Sequence, residues 1–472
     1  MRNQLFINGS WTDGESAAPV KDKFTGEVLA ELAQASSEQV ADAVAGLYNA
    51  SQHGPLPPYQ RFQILARASE LVAERREELT TIMVAESGFT RADVTGEIDR
   101  AVQTLRLSAE EATRLTGEMV PLDGAPGVRD RIGFTIRHPI GVVCAITPFN
   151  SPLNTPVHKV GPALAAGNTV ILKPATYTPF SAAALVDILL AAGLPPEHIA
   201  LVHGSGRSVG NWLLDDSRIG FYTFTGSTEV GRELRARVGV RPTQLELGGL
   251  SSTIICADAD PQLAVERCVP AAFRKAGQVC TSVQRIYLHE SVRDEVTEQL
   301  VKVVSDQRYG DPREAGTLTG PLINGQESDR VMAWIDEAVR HGATALTGAR
   351  QAGPVVAPTV LTDVSNDSRV MCREVFGPVV SLRTFSDLDQ AIDEVNDTPY
   401  GLSAGVFTND IRSALHAAQR LRMGTVHINQ SSSSRIDLMP YGGVKESGFG
   451  REGPHYAARE MTEERLITIS YG

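Results

Sequence analysis

The segment KAGQVCTSVQR sets Cys280 among small and polar residues, with Gly277 and Gln278 before it and Thr281 and Ser282 after. A cysteine so placed is a core filler, half of a disulfide, a metal ligand or a nucleophile. The chain holds 5 cysteines, at 144, 256, 268, 280 and 372. The odd count, the long spacings and the absence of CxxC argue against a disulfide framework or a zinc site. They fit a reducing, cytoplasmic home. Cys144 and Cys256 lie in apolar, strand-like runs and read as inert core. Cys280 has polar, backbone-permissive neighbours instead. Two further residues are placed for chemistry. LELGG sets Glu246 after a strand and before two glycines, and TPFN sets Asn150 at a strand end beside prolines. A carboxylate can act as a general base and an amide as an oxyanion donor. Taken singly, a glutamate at 246 is more often a surface or cap residue, and Asn150 reads as a turn asparagine.

The elements that must carry these residues alternate. Between about 140 and 270, IGVVCAIT precedes a helical VHKVGPALAAG, NTVILKP precedes SAAALVDILLAAG, IALVHG precedes SVGNWLLDD, and IGFYTFTG precedes STEVGRELRARVG. Such alternation predicts a parallel sheet with crossover helices. Residues 36 to 117 read as mostly helical, with PYQRFQILARASELVAERREELTTIMVAES as one long stretch. A second α/β region runs from about 250 to 440, and the tail RLITISYG alternates like a strand that joins another sheet. Two glycine turns open helices, HGSGRSVG and FTGSTEVG. Neither is a GxGxxG fingerprint, and no phosphate-loop lysine follows. Together they favour a nucleotide site at helix N-termini.

Bulk properties set limits. A chain of 472 residues needs two or three domains. A net charge of -12 opposes a general nucleic-acid or anionic-membrane binder. No apolar run is long enough to span a bilayer.

In combination, the motifs FINGSW, ITPFNSPLN, GPALAAGNTVILKPA, FTGSTEVG, LELGG, GQVCTSVQR, EVFGPV, YGLSAGVFT and PYGGVKESGFGREG resemble the aldehyde dehydrogenase superfamily nearly end to end. The resemblance implies an α/β fold of two Rossmann-like domains, one for cofactor and one for catalysis, plus a small β oligomerisation arm. The expected boundaries are 1–117 and 137–246 for the cofactor domain, 247–446 for the catalytic domain, and 118–136 with 447–472 for the arm and tail. A homodimer or homotetramer is expected. The resemblance makes Cys280 the nucleophile, Asn150 an oxyanion donor and Glu246 the base that activates the hydrolytic water. The product is then a free acid. Relatives that acylate coenzyme A, the alternative reading, usually lack the glutamate.

The cofactor is expected to be NAD or NADP. Lys173 and Glu374 are expected on its riboses and Phe376 against the nicotinamide, with Ile146, Thr147, Gly206, Gly226, Ser227, Gly231 and Leu247 along the groove. NAD-preferring relatives commonly read KPxE, whereas this chain reads KPAT. Thr176 does not repel a 2′-phosphate, and Arg207 adds charge beside the turn. NADP acceptance is therefore expected. Tunnel positions fall on Ser151, Asn154 and His158, with Arg100 and Arg435 nearby. Two arginines predict a small polar or anionic aldehyde, such as a semialdehyde, a lactaldehyde-like, sulfo- or phosphonoaldehyde. The alternative is local pairing, Arg100 with Glu97 and Arg435 with Asp437.

Overall fold

A computed structural model describes residues 1–471. Its first large sheet has eight strands. The central five, Ile199–Leu201, Thr169–Lys173, Val142–Ile146, Ile219–Thr225 and Thr243–Glu246, run parallel in that spatial order. The edges are antiparallel: Leu5–Ile7 with Ser10–Thr12 on one side, and the short strand Gly448–Phe449 on the other. The strand Val142–Ile146 shows why the sheet is buried on both faces. Val143 and Ala145 join one apolar cluster, while Val142 and Cys144 join the other. Period-two alternation therefore feeds two cores, which is why the run reads as continuously apolar. Helices Pro58–Glu74, Arg91–Ala112, Asn154–Ala165 and Phe180–Ala191 cover the first face. Ser37–Gln52, Asn211–Asp215 and Thr228–Val238 cover the second.

The second sheet has seven strands, ordered Thr344–Thr347, Thr359–Thr362, Val379–Phe385, Arg285–His289, Ser252–Ile255, Ser403–Phe407 and Thr425–Ile428. All neighbours are parallel except the first pair. A third, small sheet pairs Thr462–Ser470 antiparallel with Arg131–Pro139, which also holds Met119–Val120. The tail thus joins the expected segment, within one chain. Leu466 and Ile469 stay about half exposed on it.

The long helical stretch is two helices rather than one. Pro58–Glu74 ends at Arg75, whose ψ of 18° breaks the ladder, and Arg76–Ser87 follows. The break falls in the charged run Glu74–Glu78, which offers no apolar stripe to hold the turn against the core. Gly88, in the left-handed region at φ 71°, ends the second helix. Among the described residues, no helix is long and apolar enough to cross a membrane.

Candidate active site

Cys280 follows a backbone turn that helices do not use. Lys275, Ala276 and Gly277 have φ of 51°, 54° and 72° in succession. A left-handed non-glycine residue costs on the order of 1–3 kcal/mol, so tertiary contacts must hold this turn. The Lys275 ammonium pairs with buried Glu97 and donates to the Asn150 carbonyl at 2.8 Å. The Lys275 backbone N–H donates to Asp93 at 3.2 Å. The Gln278 side chain donates to the Lys275 carbonyl at 3.0 Å and accepts from the Ile323 N–H at 2.9 Å. Gly277 is required: a Cβ there would sit 2.1 Å from the Gly377 carbonyl oxygen.

The other two expected catalytic side chains reach the same place. Asn150 Nδ2 donates to the Gln278 carbonyl at 2.9 Å, which leaves its second amide hydrogen free. Glu246 ends the strand Thr243–Glu246, next to the antiparallel Gly448. It is 3% exposed, and neither carboxylate oxygen has a hydrogen-bond partner among the described residues. Burial pushes its pKa well above the carboxylate range, and the charge of Glu452 adds to the shift. Burial would raise Glu452 too, but Lys159 at 3.0 Å and Arg435 at 2.8 Å outweigh it and hold Glu452 ionised. Burial pushes the Cys280 thiol up to about 11, opposed by Tyr441, whose hydroxyl oxygen lies 3.0 Å from Sγ, and by Arg435. Cys144 and Cys256 are buried and pushed up to about 12.

Cys280, Glu246 and Asn150 open into one cavity of about 520 Å³. Its wall also carries Lys173, Thr176, Gly206, Gly226, Ser227, Leu247, Glu374 and Phe376. Ser227 caps the helix Thr228–Val238, so that helix's N-terminus faces the cavity. Lys173 is buried with only a 3.5 Å contact to the Pro174 carbonyl, and burial lowers it to about 8. Burial raises Glu374 to about 7, although it accepts from the Gly249 N–H at 3.0 Å. The Phe376 ring meets Phe149 edge-on at 5.8 Å.

Of the other expected groove residues, Gly231 lines an adjoining cavity that shares Leu247 with the first. Ile146 ends the strand Val142–Ile146 and Thr147 follows it, next to the cavity residues Pro148 and Phe149, with the Thr147 N–H on the Lys173 carbonyl at 3.1 Å. Arg207 is exposed on the turn beside Gly206. Gly231 packs under Leu247, where a Cβ would meet that side chain at 2.4 Å.

The expected tunnel residues gather around one carboxylate. Asp437 accepts from Arg100 at 2.7 and 3.2 Å, from His158 Nε2 at 2.8 Å and from Asn154 at 3.4 Å. Burial opposes its ionisation, but His158 and Arg100 outweigh that and hold Asp437 charged. Burial, with Arg435, pushes His158 down and keeps it neutral against the pull of Asp437. Ser151 is half-buried just before the helix Asn154–Ala165. The local pairing considered for the arginines does not occur. Glu97 is taken by Lys275 and by the backbone N–H groups of Leu153 and Asn154. Arg435 instead holds Glu452, and its Nε is buried without a partner among the described residues.

Sequence reasoning missed Tyr441, Lys159, Glu452, Lys275 and Arg274. Arg274 is half-buried, makes no ion pair among the described residues, and donates to Ser433 Oγ at 2.7 Å and its carbonyl at 3.5 Å. Burial and the charge of Arg100 lower its pKa, while Asp93, Cys280 and Tyr441 are near enough to act in the other direction. Its signal was legible: no acidic residue stands three or four positions away in VPAAFRKAGQ.

Residues 11–467 match the family described as the aldehyde dehydrogenase family. A 3-sulfolactaldehyde dehydrogenase from Priestia aryabhattai is 43% identical over 466 residues, covering 99% of this chain and 98% of the relative. Aldehyde dehydrogenase 21 from Physcomitrella patens, solved in complex with the reaction product succinate, superposes with a TM-score of 0.96 at 35% identity over 99% of this chain and 98% of that one. An NADP-dependent glyceraldehyde-3-phosphate dehydrogenase from Bacillus halodurans, complexed with NADP, gives 0.97 at 33% identity over 100% and 99%.

Proposed function

Because this chain belongs to the aldehyde dehydrogenase family and oxidises an aldehyde with NAD or NADP, we propose that its substrate is a small anionic aldehyde and its product the free carboxylic acid. The observation that carries the reading is the convergence of Cys280, Asn150 and Glu246 on one cavity, with Arg274 near the thiol and in no ion pair among the described residues.

The cavity suits a dinucleotide. A helix N-terminus at Ser227 offers N–H groups to a pyrophosphate, and buried Lys173 and Glu374 offer a cation and a carboxylate to ribose hydroxyls. Thr176 on the wall leaves room for a 2′-phosphate without repelling it, so NADP is accepted. The bound nicotinamide supplies a hydride acceptor.

The Cys280 thiolate adds to the aldehyde carbon, and the carbonyl oxygen becomes an alkoxide. The free hydrogen of the Asn150 amide and the Cys280 N–H stabilise that charge. As the carbonyl re-forms, the C–H bond breaks and its electron pair leaves as hydride. A thioester on Cys280 remains. Glu246, when ionised, takes a proton from water, which attacks the thioester carbon; the C–S bond breaks and returns the thiolate. Arg274 binds the distal anion of the substrate, with Ser433 fixing its guanidinium and Arg435 adding positive charge. Names of relatives support the substrate class: one acts on sulfolactaldehyde and another was crystallised with succinate.

The test is a panel of anionic and neutral short aldehydes with each cofactor, with and without coenzyme A, following reduced cofactor. Expected is turnover of anionic aldehydes without coenzyme A, lost by on the order of 10⁴-fold or more in Cys280→Ala. Strict dependence on coenzyme A, or equal kcat/KM for neutral and anionic aldehydes, overturns the reading.

A further inference from the structure

We propose that Tyr441 is a positioning residue for the nucleophile: its hydroxyl donates to the Cys280 thiolate, and the Arg435 guanidinium over its ring strengthens that donor. The inference rests on Cys280 being the nucleophile, as read above.

Three contacts carry it. The Tyr441 hydroxyl lies 3.0 Å from Cys280 Sγ. The Arg435 guanidinium carbon sits 3.8 Å from the Tyr441 ring centroid. Arg435 is itself fixed by Glu452 at 2.8 Å, and Glu452 by Lys159 at 3.0 Å. Tyr441 is 6% exposed, so water does not compete freely for its hydroxyl. In the thiol state, either group can donate. In the thiolate state only the phenol can, because sulfur has no proton left. A hydrogen bond to a charged acceptor is about twice as strong as one between neutral groups. The contact therefore favours the thiolate over the thiol and aims the sulfur lone pairs. Tyr441 keeps its proton throughout, so no group transfer is involved.

The surroundings fix the sign. Cys280 faces Tyr441, Arg435, Glu246 and Glu374, and Arg274 lies near enough to interact. Tyr441 faces Cys280, Arg435 and Glu246. Burial, with the charges of Cys280 and Glu246, raises the phenol well above its ordinary value against Arg435. It stays protonated and remains a donor whenever the thiolate forms. Burial drives the thiol up, and Tyr441 is the first group that pulls it back.

The test uses the full chain in a Cys372→Ser background, because Cys372 is the exposed cysteine and would otherwise report. Alkylation of Cys280 by iodoacetamide is followed by mass spectrometry across pH for the parent and for Tyr441→Phe, which keeps the ring under Arg435. Expected is an apparent thiol pKa higher by roughly one unit in the variant, and a hydride-transfer rate near neutral pH down about tenfold that recovers at alkaline pH. Unchanged cofactor affinity shows that the fold is intact. An identical alkylation profile overturns the proposal. If Tyr441→Phe does not fold, 3-fluorotyrosine at 441 decides: a more acidic phenol lowers the apparent thiol pKa, and no change overturns the role. Activity surviving in Cys280→Ala would sink the nucleophile assignment instead, a separate result.

Discussion

Asn150 Nδ2 donates to the carbonyl of Gln278, two residues before the cysteine it is proposed to assist. One hydrogen of the amide thus anchors the turn and the other faces the site. Asn150→Ala removes both functions. The expected loss in kcat is about 10²–10³-fold, measured by steady-state assay, with cofactor affinity unchanged. A loss below about threefold means that backbone donors alone hold the alkoxide.

The Lys275–Glu97 pair is buried, with side-chain exposures of 8% and 3%. Lys275→Met leaves Glu97 without its cation while two backbone N–H groups still reach it. The expected destabilisation is about 3 kcal/mol, at the lower end for a broken buried pair. Urea unfolding followed by tryptophan fluorescence reads it. Adding Glu97→Gln should restore much of the loss, because the stranded charge is then gone.

Cofactor affinity should follow a bell-shaped pH profile. Burial raises Glu374 to about 7, so it gains charge and accepts ribose hydroxyls better as pH rises through that value. Burial lowers Lys173 to about 8, so it loses its charge as pH rises further. Binding is tightest between the two limbs. Fluorescence titration across pH gives the profile, and Glu374→Gln should flatten the acid limb alone. An acid limb that persists in that variant belongs to another group.

The stability contribution of Glu374 has the opposite sense. Its folded pKa lies above the unfolded value near 4.5, so the folded state binds more protons between about 4.5 and 7. Its share of stability is present below that window and falls as pH rises through it. Glu374→Gln should be relatively more stable than the parent at pH 8 than at pH 5, read by urea midpoints.

Arg274→Gln keeps a side chain that can meet Ser433 but removes the charge. KM for an anionic aldehyde should rise roughly tenfold or more, as for loss of a charged hydrogen bond. A neutral aldehyde of the same length should change little. Parallel changes for both place Arg274 in the scaffold instead.

Much of this was legible along the chain. The alternation around IGVVCAIT and NTVILKP marked two buried parallel strands, and Cys280 stood out by its setting, whereas Asn150 and Glu246 gained their roles only from the joint resemblance of the motifs. Side-chain pairing was not legible. Arg100 finds Asp437 across 337 positions, and Tyr441 finds Cys280 across 161. Near neighbours such as Glu97 looked like the natural partners by spacing alone. They are claimed by groups that only the folded chain brings near. The helix break at Arg75 was invisible for a related reason: charged residues are good helix formers, and what failed there was packing.

The edge strand Gly448–Phe449 has a consequence for biosynthesis. Glu246 leaves the ribosome with its own strand, yet the partner that closes that sheet edge is made about 200 residues later, roughly 10–40 s at ordinary elongation rates. Until then the strand Thr243–Glu246 has an open flank, and Glu452 and Arg435 are still to come, although Lys159 has already been made. A nascent chain therefore holds its nucleophile before it holds a complete pocket around it, and competence arrives only once Gly448 and Glu452 have been made.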